Sequence, residues 1–214
     1  MDSKKILVRS TEYFREKYPN PKTELDYIDL FQITVAVILS AQCTDKRVNI
    51  ITVDLFKRFK SFSDLAKASQ DEVFSYIRSC SYPNNKSKNL IAMAKSVTEN
   101  FNGIMPSDVE LLQTIPGIGR KSANVIAAVG FGQNTMPVDT HVFRVSERIG
   151  LTSGAKTPES AEQQLVANFP ADLLSRAHHW LILHGRYVCL ARSPKCEKCG
   201  LTSVCKHYQN SMKG

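Results

Sequence analysis

Cys189, Cys196, Cys199 and Cys205 follow one another as C-x6-C-x2-C-x5-C near the end of a 214-residue chain. Four thiolates complete either a structural zinc site or an iron–sulfur cluster. Zinc sites usually pair two close CxxC knuckles across a longer loop, and only Cys196 and Cys199 have that spacing here. The pattern leans towards a [4Fe–4S] cluster and leaves zinc open. A disulfide framework would spread its cysteines through a secreted chain, whereas the two others, Cys43 and Cys80, stand apart. Arg186, Arg192, Lys195, Lys198 and Lys206 lie around the thiols with a single acid, Glu197. Some of these cations would offset an anionic cluster, while the loops between the thiols present the rest to phosphates.

A second stretch, Leu111 to Lys121, reads LLQTIPGIGRK. A helix, a tight glycine turn and a second helix aim backbone N–H groups at an anion. Gly117 and Gly119 remove side chains so that a phosphate can approach, and the second helix offers its positive end. Arg120 and Lys121 are out of place by the helix-dipole rule, which prefers acids in a first turn. Phosphate contact would account for both. The alternative for Lys121 is nucleophilic: a neutral amine attacks carbon and forms a Schiff base. Downstream, Pro137-Val138-Asp139-Thr140-His141 leads into another helix. Asp139 reads as its N-cap, and a carboxylate near an amine nucleophile would also stabilise positive charge developing on a sugar.

Helices must hold these groups, because apolar residues recur at helical spacing nearly throughout. The first helix carries Ile6, Leu7, Tyr13 and Phe14 and ends at Pro19-Asn20-Pro21. A second starts near Asp29 and runs through Val35 and Leu39. Thr44 caps a third, Ser63 and Ser69 open two short ones, and a polar turn at Pro83-Asn84-Asn85 precedes a long helix to about Phe101. Ser107 starts the helix that ends near Gln113. Arg120 to Val129 follows, stopped by Gly130 and Gly132, and then Asp139 to Ile149. Thr157-Pro158-Glu159 has the cap, first-turn proline and acid of a helix start. Pro170 opens the last long helix, through Trp180. No paired strands stand out. The expected fold is all-α.

Composition narrows the function classes. With 43% hydrophobic and 22% charged residues the chain is globular, not fibrous or disordered. Its best candidate stretch, Ile33 to Leu39, is far short of the ~20 residues of a membrane helix, and its start lacks a signal-peptide core. No membrane association and a cytosolic location are expected. The net charge of +8 is spread evenly, with 16 basic against 12 acidic residues before Pro106 and 12 against 8 from there on. A basic surface over the whole body suits a polyanion such as nucleic acid.

The run Ile115-Pro116-Gly117-Ile118-Gly119-Arg120-Lys121-Ser122-Ala123-Asn124, the Val138-Asp139-Thr140-His141 turn and the four-cysteine spacing together resemble endonuclease III. Further matches are Leu39-Ser40-Ala41-Gln42 with Thr44-Asp45, and His179-Trp180-Leu181-Ile182-Leu183-His184-Gly185-Arg186. The likeness covers nearly the whole chain. That family comprises bifunctional DNA glycosylase/AP lyases of the helix-hairpin-helix superfamily, and the resemblance implies a [4Fe–4S] cluster on Cys189, Cys196, Cys199 and Cys205. It implies two helical domains with a DNA-binding cleft between them. One is a six-helix barrel over residues 23–133, with the helix-hairpin-helix at about 107–130. The other is discontinuous, 1–22 and 134–214, and carries the cluster loop 189–205.

The implied reaction is removal of oxidised pyrimidines from duplex DNA, the damaged base being flipped into a pocket. Lys121 would attack C1′ and expel the base, with Asp139 supporting the charge on the sugar. β-Elimination would then cut the strand 3′ to the abasic site. Gln42 would fill the hole left by the flipped base, and Gly117, Gly119, Arg120 and His141 would contact the DNA. The implied partner is double-stranded DNA with damaged pyrimidines or abasic sites, met by a monomeric, bacterial-type cytoplasmic protein that joins the nucleoid when on DNA.

The chain departs from the family after Cys80. Where Gly, an aliphatic residue and Tyr are common, it reads Ser81-Tyr82-Pro83. Tyr82 would then supply an aromatic wedge instead of an aliphatic one. Two rival readings are a monofunctional adenine-type excisionase, which typically lacks a lysine at position 121, and a non-catalytic DNA-binding protein. The first shares the carboxylate but is opposed by Lys121 and by the extra C-terminal domain that branch carries, and Lys121 and Asp139 together speak against the second. His178, His179, His184 and His207 are expected to pack or meet phosphate, Cys43 and Cys80 to be small buried residues, and Trp180 to be core.

Overall fold

The computed structural model describes residues 3–212. In chain order the first helices are α1 (Ser3–Lys17), α2 (Leu30–Ser40), α3 (Asp45–Arg58), α4 (Phe62–Ala66), α5 (Gln70–Ile77) and α6 (Pro83–Asn100). Then come α7 (Val109–Thr114), α8 (Arg120–Phe131), α9 (Thr140–Ile149), α10 (Pro158–Asn168), α11 (Leu174–Tyr187) and α12 (Lys206–Ser211). Among the described residues there is no strand; the protein is all-α. It divides into two compact units, Glu24–Gln133 and Met1–Thr23 with Asn134–Gly214.

The first unit is organised on α2. Its sequence LFQITVAVILS is apolar on every side, which marks a helix enclosed by others, and residues 33–39 are buried without a break. Helices α3, α6 and α8 pack on it. Asp29 caps its start by accepting from the Gln32 N–H at 2.8 Å. Gly130 is inside α8, not beyond it: a Cβ there would meet Leu30 Cδ1 at 2.6 Å, so the missing side chain lets the two helices close. The stop is Gly132, in the left-handed region at φ +67°.

Several starts differ by a few residues from those the sequence predicts. Ser61, not Ser63, caps α4, and Asp108, not Ser107, caps α7 by accepting from two backbone N–H groups. Pro83 is the first residue of α6, so the expected polar turn is the helix's first turn. A 3₁₀ turn, Ala171–Leu173, stands between Pro170 and α11. Helix α12 carries no periodic signal and was not anticipated.

The second unit holds α1 and α9 to α12. Trp180 is fully buried, stacks on Phe14 with centroids 6.0 Å apart and donates its indole N–H to the Tyr18 carbonyl at 2.9 Å. Burial of one such side chain stabilises by ~1.5–3 kcal/mol, and this contact ties the N-terminal helix to α11, 162 residues away in sequence.

Candidate functional site

The glycine turn sits between α7 and α8, which pack on each other. Ile115 and Ile118 point into the core, and the Ile118 N–H closes the turn on the Ile115 carbonyl at 3.1 Å. The two glycines have different reasons to be there. Gly117 lies at φ +81°, and a Cβ would stand 3.0 Å from Asn89 Cβ on α6; the fold itself requires it. Gly119 has ordinary extended backbone, and its Cβ would meet nothing within 4 Å. Its missing side chain leaves space outside the protein. Helix α8 begins with no side-chain cap, and the N–H groups of a helix's first turn have no intrahelical acceptor. Arg120 and Lys121 are exposed on that first turn. Among the described residues, the Lys121 amine takes part in no hydrogen bond or ion pair.

Asp139 is the N-cap of α9, as the sequence predicts. Its Oδ1 accepts from the His141 N–H at 2.9 Å and the Val142 N–H at 2.8 Å. Both cap bonds use one oxygen, and Oδ2 takes none among the described residues. The backbone just before it is held from α11: buried His178 meets the Pro137 carbonyl through Nδ1 at 2.7 Å. His141 is half-buried where α9 crosses α11, and Gly185 makes the crossing possible because a Cβ there would lie 2.9 Å from His141 Cβ.

The four cysteines line one cavity, together with His184, Lys195 and others. They carry no disulfide. Among the described residues, no three His, Cys, Asp or Glu side chains close to the distances of a single metal ion. Burial, and then the neighbouring thiols, push the Cys196 thiol up; burial does the same for Cys199 and Cys205. Of the five cations around these thiols, Lys195 lines the cavity and Lys206 lays its stem across Gly150. The sequence reading overlooked the two arginines that hold the loop. Arg144 and Arg148, one turn apart on α9, donate to the carbonyls of Gly185, Cys189, Leu190 and Ala191. The signal available was their spacing after Asp139.

Gln42 and Tyr82 are exposed at the ends of two loops of the first unit. Both lie in the left-handed region, at φ +53° and +54°, which is uncommon for any non-glycine residue and more so for an aromatic one. The loops touch: Ser81 Oγ donates to the Gln42 carbonyl at 2.6 Å. Cys80 is buried as expected, while Cys43 is only half-buried because it lies on the Gln42 loop.

Residues 35–171 match the HhH-GPD superfamily of base excision DNA repair proteins. The endonuclease III of Rickettsia conorii is 45% identical over 205 residues, covering 96% of this chain and 97% of that protein. The chain belongs to the endonuclease III family. The Escherichia coli endonuclease III is 39% identical over 195 residues, covering 91% of this chain and 92% of the relative. A solved endonuclease III, trapped as a covalent intermediate with DNA, superposes with a TM-score of 0.94 at 34% identity over 99% of each chain. Membership makes this chain a base-excision repair enzyme, a DNA glycosylase with AP lyase activity. The superfamily match spans the hairpin and the Asp139 turn and ends before the cysteines; endonuclease III relatives cover those as well.

Proposed function

We propose that this chain excises oxidised pyrimidines from duplex DNA and then cuts the strand 3′ to the abasic site it has made. The observation that carries the reading is Lys121: an exposed, unbonded amine on the first turn of a helix whose N-terminal N–H groups have no cap. The amine attacks C1′, a C–N bond forms, and the glycosidic bond breaks with its electron pair leaving on the base. The amine then loses its excess proton, and the C1′–O4′ bond breaks to open the sugar ring with its electron pair on O4′, which takes up a proton. The Schiff base so formed acidifies the C2′ proton, whose removal expels the 3′ phosphate by β-elimination. Asp139 stabilises the positive charge at the sugar through Oδ2, with Oδ1 committed to the cap.

Gly117, Gly119 and Arg120 hold the phosphates, His141 adds a contact from α9, and Gln42 and Tyr82 enter the stack as hole-filler and wedge. Cys189, Cys196, Cys199 and Cys205 hold a [4Fe–4S] cluster. The donor set suits it: four thiols line one cavity, with Arg148 Nη1 at 3.6 Å from Cys189 Sγ to balance negative charge. When bound, the cluster cross-links the loop through metal–thiolate bonds. The working form is a monomer in the cytoplasm. No helix among the described residues is long and apolar enough to cross a membrane.

Borohydride trapping tests the reading on two duplexes, one containing thymine glycol and one an abasic site. Covalent adducts on both, absent with Lys121→Ala, are expected. An adduct on the abasic duplex alone would replace the pyrimidine assignment, and adducts on neither would overturn the Schiff-base route.

A further inference from the structure

A buried lysine joins the two loops that end in Gln42 and Tyr82. Lys86, on the first turn of α6, is 6% exposed. Its Nζ donates to the carbonyls of Leu39 and Ala41, each at 2.7 Å. It also meets Cys80 Sγ at 3.2 Å and Ser81 Oγ at 3.3 Å. The first pair of contacts belongs to the end of α2 and the start of the Gln42 loop. The second pair belongs to the turn that leads to Tyr82. Lys86 is thus bonded on both sides, and the Ser81–Gln42 hydrogen bond closes the same circuit.

A buried ammonium is retained only where its protons are taken up. Here the carbonyls it satisfies are those that α2 leaves open at its C-terminal end. Two residues flanking these contacts, Gln42 and Tyr82, are held in the left-handed region. Such backbone costs about 1–2 kcal/mol per residue and persists only where surrounding bonds over-determine it.

We infer that Lys86 is the positioning residue for stack entry: it locks the Gln42 and Tyr82 loops at one separation, so that both side chains enter the duplex together. The inference rests on the proposed roles of Gln42 and Tyr82 in DNA. Lys86 itself touches no DNA. It acts by removing the freedom of two tips that would otherwise pay ordering entropy on binding. Its influence therefore falls on duplex substrates, which have a stack to open, and on discrimination of the base opposite the lesion.

The test compares wild type with Lys86→Met, Lys86→Arg and the milder Ser81→Ala. Two readouts are base excision from a thymine-glycol duplex against each opposite base, and fluorescence of 2-aminopurine placed opposite an abasic site. A third is borohydride trapping on single-stranded abasic DNA, which has no stack. Lys86→Met is expected to slow duplex excision by about tenfold to a hundredfold, flatten the opposite-base preference and abolish the fluorescence rise. Single-strand trapping should keep its rate. Lys86→Arg should restore part of the loss, and Ser81→Ala should shift the same readouts less.

Equal loss on single- and double-stranded substrates would make Lys86 a stability residue and overturn the inference. So would unchanged duplex excision in Lys86→Met, with Ser81→Ala likewise silent. Gln42→Ala and Tyr82→Ala separate the two levels. If they impair duplex excision while Lys86→Met does not, only the positioning role fails; if they are silent, the stack-entry roles of Gln42 and Tyr82 fail first.

Discussion

The Arg148 guanidinium donates to the Leu190 carbonyl at 2.7 Å and, through its other terminal nitrogen, to that of Ala191 at 3.0 Å. One planar side chain thereby holds two consecutive peptide groups next to Cys189, which a lysine could not do with the same geometry. Arg148→Ala should cost about 1.5–3 kcal/mol, the range for a hydrogen bond to a charged group. It should also speed bleaching of the proposed cluster's visible absorbance under a chelator. Arg148→Lys should recover little of either. Unchanged bleaching in the alanine variant would show that the loop holds its shape without the arginine.

Asp139 has one observed duty, the cap of α9, and one proposed duty at the sugar. Asparagine retains an oxygen for the two cap N–H groups, so Asp139→Asn should leave stability within about 0.5 kcal/mol, whereas Asp139→Ala should lose the ~1 kcal/mol of an N-cap. Both should lower base excision by about 100-fold or more, since neither can oppose positive charge at the sugar. Chemical denaturation and single-turnover excision, run on both variants, check the split. Full excision by Asp139→Asn would reduce Asp139 to a cap.

The hairpin glycines should part company in the same way. Gly117→Ala forces an L-residue into the left-handed region at a cost of ~1–2 kcal/mol and crowds Asn89; it should lower the unfolding midpoint. Gly119→Ala meets nothing in the protein and should leave the midpoint nearly unchanged. Its DNA affinity, measured by fluorescence anisotropy across a salt series, should fall, because the new methyl occupies the space in which a phosphate would sit. Normal affinity in Gly119→Ala would argue against phosphate binding at this turn.

His179 should make stability depend on pH. Burial, and then the cation of Arg186, push its pKa down from 6.5 to about 4; its ring lies 4.9 Å from that of His178. Between those values the unfolded chain binds more protons than the folded one. Stability is therefore fully present above about pH 6.5, is lost as pH falls towards 4, and levels off below, by a total of about 3 kcal/mol. Thermal unfolding from pH 7 to 4 should show a shallower slope for His179→Phe than for wild type. Equal slopes would remove His179 from the account.

What could be read from the sequence alone was local. The all-helical class follows from apolar periodicity. The caps at Thr44, Ser69, Asp139 and Thr157 follow from residues that bond their own backbone two or three positions on. The cysteine pattern, the glycine turn and the Val138-Asp139-Thr140-His141 run were sufficient for the family. Boundaries slipped where two candidate caps were neighbours, Ser61 against Ser63 and Asp108 against Ser107, because propensity differs little between them and packing chooses. Gly130 looked like a stop because its role depends on Leu30, a residue one hundred positions away.

The tertiary structure decided which chemical groups are committed and which are left open. No spacing rule shows that Asp139 caps with one oxygen, that Gly117 is required by the fold while Gly119 is not, or that Arg144 and Arg148 clamp the cysteine loop. Nothing in the spacing around Lys86 sets it apart. It becomes a buried junction because α2 and the Ser81 turn converge on its side chain from 47 and 5 residues away. Hydrogen bonds of that reach exist only once the core has folded, since they depend on helices brought together by burial and not on the backbone within a few residues.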